Sequence, residues 1–145
     1  MRMFFVILAL LSLVFTDTAR CADARKPLDE GSLRGFMAGE YDLIGRKPDS
    51  TVTYSGRVTL RADGDALHAT RTIEGKTVEG NIRFETGGDG VSVARLGFTL
   101  DGVEYEATYL WQSDFDNYPR FTGNLYRKDH KNTSAGIEAL FPIHK

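Results

Sequence analysis

The stretch Tyr54–Glu85, YSGRVTLRADGDALHATRTIEGKTVEGNIRFE, decides the fold. Within it Tyr54, Gly56, Val58 and Leu60 share one parity, as do Leu67, Ala69, Arg71 and Ile73, then Val78, Gly80, Ile82 and Phe84. Mostly polar residues occupy the alternate positions, which is the period of a half-buried strand. Asp63-Gly64-Asp65 and Glu74-Gly75-Lys76 separate the three runs as short hairpin turns.

The same grammar continues on both sides. Upstream, Tyr41 and Leu43 alternate with Glu40 and Asp42. Downstream, Gly87-Gly88-Asp89-Gly90 makes a turn, after which Val91 and Val93 lie on one parity and Leu96, Phe98 and Leu100 on the other. That switch predicts a bulge near Ala94-Arg95, because one extra residue exchanges the faces. Asp101-Gly102 is a strong hairpin signal, followed by Val103, Tyr105, Ala107, Tyr109 and Trp111 in alternation. Phe121, Gly123 and Leu125 form the next run, and Ile137, Ala139 and Phe141 are expected to be the inward residues of the last strand.

About eight strands joined mainly by hairpins predict an all-β chain, an antiparallel up-and-down meander closing into a lipocalin-like barrel. Closure removes the two unpaired edges, whereas a sandwich, the rival architecture, needs long crossover connections. The only long loops are 45–51, 113–119 and 128–134. Ahead of the strands, Ser32 is placed to cap a short helical turn with Leu33, Phe36 and Met37 on one face.

The chain has 145 residues, 18 Lys+Arg against 20 Asp+Glu, and one cysteine. That balance offers no basic face for nucleic acid, and the length suits one domain. Residues 1–24 read as a signal peptide: Arg2 precedes the twelve-residue apolar run Phe4–Phe15, and Ala22-Asp23-Ala24 is the best small-residue cleavage site, with a cut after Ala19 the alternative. The run is too short to span a membrane. Residues 25–38 form a lead and the helical turn, and 39–145 a single barrel domain. An exported location, periplasmic or extracellular and bacterial, is therefore expected. Lipidation of Cys21 is disfavoured by Arg20 immediately before it. Without its leader the chain holds no cysteine, so the core alone must stabilise it.

The inward face supplies the candidate site. Gly56, Ala69, Gly80, Ala107, Gly123 and Ala139 sit between larger apolar residues on their strands. Either they leave a cavity lined by Tyr41, Tyr54, Phe84, Tyr105, Tyr109 and Trp111, or they let the sheet coil while larger neighbours fill the middle. Arg71 shares the apolar parity of its strand. A guanidinium there must anchor a ligand carboxylate or phosphate, reach the rim, or pair with an internal acid. Catalytic patterns are scarce. His68, His130 and His144 have no ligand-spaced partners, and no nucleophile elbow or phosphate loop is present. Asp114-Phe115-Asp116-Asn117 reads as a solvated acidic loop. No enzyme, metal or cofactor is expected.

The pattern Gly39-x-Tyr41, Pro48-Asp49, Tyr54-x-Gly56-x-Val58-x-Leu60, Gly64-Asp65, Ile73-x-Gly75 and Gly80 resembles a group of small exported bacterial β-domains labelled fibronectin-binding-like. That resemblance implies an adhesin role. The group commonly carries Trp where this chain has Arg71. More distantly, the short helix followed by Gly39-Glu40-Tyr41 resembles the start of the calycins, the lipocalin and avidin-like barrels, with Tyr in place of their Trp. Arg127 stands where calycins often carry an Arg that stacks on that aromatic. These features together point to a non-enzymatic barrel binding a small apolar or amphipathic ligand inside. The alternative is a protein-interaction domain, inhibitor- or adhesin-like, with a packed barrel that acts through its loops.

Overall fold

The structure, a computed structural model, describes residues 29–113 and 119–143. The expected signal peptide, Cys21, the acidic loop 114–117 and His144 lie outside these residues. A helix, α1 (Glu30–Met37), precedes eight strands: β1 (Gly39–Arg46), β2 (Thr53–Asp63), β3 (Ala66–Ile73), β4 (Lys76–Thr86), β5 (Ser92–Leu100), β6 (Val103–Ser113), β7 (Pro119–Arg127) and β8 (Gly136–Pro142). Each strand pairs antiparallel with the next, and β8 returns to β1, closing the barrel. The expected up-and-down meander is thus the observed one, with no free edge among the described strands.

Local chemistry explains the connections. Asp101 and Gly102 both have positive φ, 53° and 74°, as do Glu74 and Gly75. Two successive residues in this region match the right-handed twist of the flanking strands, which is why such turns make tight hairpins. The helix is capped by Asp29, whose carboxylate accepts from the Ser32 amide at 3.0 Å, so the cap lies three residues before Ser32. Ser32 instead adds its hydroxyl to the same carboxylate at 2.7 Å. Leu33 and Met37 are buried, and Arg34 pairs with Glu30 at 3.1 Å and with Asp65 of the β2–β3 turn at 3.4 Å. These contacts seat α1 over the barrel end that carries that turn.

Two sequence expectations fail in register. No bulge interrupts β5: every residue from Ser92 to Thr86's level through Phe98 pairs with β4 in step, and Val93 to Leu100 pairs with β6 in step. Ala94, Leu96, Phe98 and Leu100 face inward, while Val93 faces outward and is nevertheless buried. Gly87 lies over it, held by a 2.7 Å bond from its amide to the Val91 carbonyl. An apolar residue can therefore sit on the outer face because a loop covers it. In β8 the parity is the reverse of that expected. Glu138 and Leu140 point inward, and Ile137 and Phe141 are exposed.

Three of the small inward residues accommodate a close approach of the neighbouring strand. A Cβ on Gly56, Gly80 or Gly123 would lie within 2.3 Å of a neighbouring strand's carbonyl oxygen. Ala69 and Ala107 are buried, and Ala139 belongs to the outer face.

Candidate functional site

Arg71, on the inward face of β3 between Ala69 and Ile73, is fully buried. Its partner is Glu138 of β8, also with a side chain of 0% exposure. The guanidinium meets the carboxylate as a fork, Nη2 donating to Oε1 at 2.5 Å and Nη1 to Oε2 at 3.1 Å. The Tyr54 hydroxyl donates to Oε1 and the Tyr109 hydroxyl to Oε2. Tyr109 in turn accepts from Arg71 Nη1 at 3.1 Å. The guanidinium lies 4.0 Å from the centroid of the Phe98 ring, a cation–π contact inside the barrel. Of the three guanidinium nitrogens of Arg71, Nε is the one without a hydrogen-bond partner.

This network has an electrostatic signature. Burial tends to lower the Arg71 pKa, but the oxygens of Tyr109, Glu138 and Tyr54 around it outweigh that and hold it above the ordinary guanidinium value. Burial, reinforced by the Glu138 charge, raises the Tyr54 and Tyr109 hydroxyls above their usual range. Burial alone raises Tyr41. A tyrosine whose folded pKa is raised contributes stability that is intact below the unfolded value near 10 and is lost as pH climbs beyond it. Unfolding monitored against pH should therefore show stability falling above about pH 10. Absorbance at 295 nm should show the three buried tyrosines ionising only as the chain unfolds. Ionisation of all tyrosines before loss of tertiary structure would contradict this.

The remaining sequence candidates lie apart from the network. The Tyr41 hydroxyl donates to the Met37 carbonyl at 2.7 Å, and its ring meets Phe121 edge-on at 5.4 Å. Tyr41 thus fastens α1 to the barrel. Phe84 and Trp111 line a shallow recess of about 340 Å³ beside Leu33 at the helix end. Tyr105 stacks on Phe98 at 5.5 Å. So Arg71, Tyr54 and Tyr109 come together, and Tyr41, Phe84, Tyr105 and Trp111 do not join their polar cluster. Arg127 pairs with Asp129 at 2.8 Å, at the end of the barrel opposite Tyr41. His68 faces outward, its Nδ1 2.6 Å from Asn81 Oδ1. Among the described residues no group of acidic, histidine or cysteine side chains is arranged to hold a metal, and no helix is long and apolar enough to cross a membrane.

Glu138 escaped the sequence reading because Ile137, Ala139 and Phe141 supply the more apolar parity of β8. The available signal was chemical: an Arg predicted to face inward demands an acid, and Glu138 alternates with Leu140.

The outer face is divided. Over β4–β6 it is charged, with Arg95 bridging Glu85 at 2.7 Å and Glu106 at 2.8 Å. Across β6, β7, β8 and β1 it carries an apolar row set among polar residues. Leu110 pairs across to Thr122, Thr122 to Ala139, and Ala139 to Ile44. Ile44, Leu110 and Ile137 are each about half exposed and border a groove of about 620 Å³. No protein-family model matches this chain, and no curated protein matches it.

Proposed function

We propose that this chain is an exported, non-enzymatic interaction domain, a packed barrel that works through its outside. The observation that carries this reading is the Arg71–Glu138 fork with its two tyrosine hydroxyls. The group best suited to anchor a ligand inside already spends both terminal nitrogens on protein oxygens. A ligand carboxylate would have to displace Glu138 and leave a second buried charge uncompensated, which is costly. The apolar strip on β6–β7–β8–β1 supports the same reading, since contiguous exposed apolar surface marks interaction sites. Export rests on the leader segment.

Native mass spectrometry of protein purified from its own host, together with titration of a fluorescent fatty acid, tests this. The bare chain mass and no saturable uptake are expected. A stoichiometric co-purified small molecule that is absent from Arg71→Met protein of unchanged fold would overturn the proposal in favour of an interior ligand.

A further inference from the structure

The more apolar parity of β8 faces water, and we infer that the buried Arg71–Glu138 pair is the device that fixes which face of β8 the barrel presents outward. Ile137 and Phe141 are exposed with Ala139 between them, while Glu138 and Leu140 face in. A slip of one residue would exchange the two sets, because side chains alternate along a strand. By apolar burial alone the exchanged register is the better one. It takes Ile137, Ala139 and Phe141 out of water, exposes Leu140 in exchange, and returns a carboxylate to solvent.

Local turns do not forbid that slip. β3 is held on both sides by two-residue turns, Asp63 pairing with Ala66 and Ile73 with Lys76, so hairpin geometry fixes its register and keeps Arg71 inward. β8 has no such turn. It reaches β7 through the connection 128–135, and it meets β1 only by closing the barrel. Two other constraints act at its start. Asp49 accepts from the amides of Thr133 and Ser134, and a Cβ on Gly136 would stand 2.4 Å from the Arg46 carbonyl oxygen. In mid-strand, a slip would break the fork from Arg71 to Glu138 and take the same carboxylate from the Tyr54 and Tyr109 hydroxyls. The guanidinium would then be buried without its counter-charge, which outweighs the apolar gain. β8 therefore shows Ile137, Ala139 and Phe141 to the outside because β3 carries an arginine. This holds whatever the outer face meets.

Thiol labelling is the test, in the chain without its leader, which holds no cysteine of its own. Ile137→Cys and Leu140→Cys are introduced separately, in the native background and with Arg71→Met, and each is reacted with an aromatic disulfide reagent. In the native background the thiol at position 137 is expected to react about tenfold or more faster than the one at 140. With Arg71→Met the order should reverse, as β8 turns Glu138 out to water. For the same reason Arg71→Met should lower the urea midpoint less than Glu138→Ala, which leaves Arg71 no route outward. Where Arg71→Met does not fold, Arg71→Met with Glu138→Leu takes its place. Neither face of β8 is then charged, and the two thiols should approach equal rates. Retention of the full native rate ratio in whichever background folds overturns the inference and assigns the register to the strand's start, to Gly136 and Asp49. That result leaves the proposed function standing, whereas a co-purified interior ligand would overturn the proposed function without changing the order of labelling expected here.

Discussion

Glu138→Ala is expected to cost about 3–5 kcal/mol of folding stability, a large share of what holds a domain of this size together. The substitution leaves the Arg71 guanidinium buried with no counter-charge and takes the acceptor from the hydroxyls of Tyr54 and Tyr109. Urea unfolding followed by tyrosine and tryptophan fluorescence measures the loss. Glu138→Gln keeps the shape and one acceptor but removes the charge, so it should fall between Ala and the native chain. The informative partner is the double replacement Arg71→Met with Glu138→Leu. Removing both charges abolishes the desolvation cost together with the attraction, and apolar side chains of similar volume often match or exceed a buried ion pair. The double variant should therefore recover most of what Glu138→Ala loses. A loss below about 1 kcal/mol for Glu138→Ala, the range of exposed pairs, would show that water reaches the guanidinium and that the interior is not sealed.

Gly123→Ala is the second large effect, at about 3 kcal/mol, the upper end of what forcing an extra carbon into a packed site costs. A Cβ there would stand 2.0 Å from the Thr108 carbonyl oxygen and 2.8 Å from the Tyr109 Cα. These are backbone atoms in the paired strand, so relief requires β6 and β7 to separate. Tyr109 lies at the contact, so separation would also move its hydroxyl away from Glu138. Gly97→Ala supplies the control. Its Cβ would meet nothing within 4 Å, and its backbone is of the ordinary extended kind. That substitution should be neutral or mildly stabilising, by about 0.4–1 kcal/mol through reduced freedom of the unfolded chain. Equal responses at the two glycines, read from the same urea curves, would refute the close approach as the cause.

Much of the architecture was legible because it depends on local rules. The period-two runs from Tyr41 to Leu125, with turns such as Asp101-Gly102, specify strands, their order and which side chains of most strands face inward. The errors fall where local apolarity and tertiary environment disagree. Val93 looked inward because it is apolar, yet the Gly87 loop shelters it on the outside. Ile137, Ala139 and Phe141 looked inward for the same reason, and the barrel turned Glu138 inward in their place. Asp29, rather than Ser32, caps the helix, a shift of three residues along a segment in which both residues are competent caps.

The candidate site divides along the same line. The sequence by itself determined that Arg71 lies on a buried face and so requires an answer to its charge, because strand parity and the cost of burial are local facts. Only the tertiary structure decided what that answer is. The acid comes from a strand 67 residues away, brought to Arg71 because the barrel closes β8 onto β1. Closure also decided the outer face, since Leu110, Thr122, Ala139 and Ile44 become one row only when β6, β7, β8 and β1 are paired in register. Pairing across the barrel depends on the summed fit of all eight strands, and no window of neighbouring residues contains that sum.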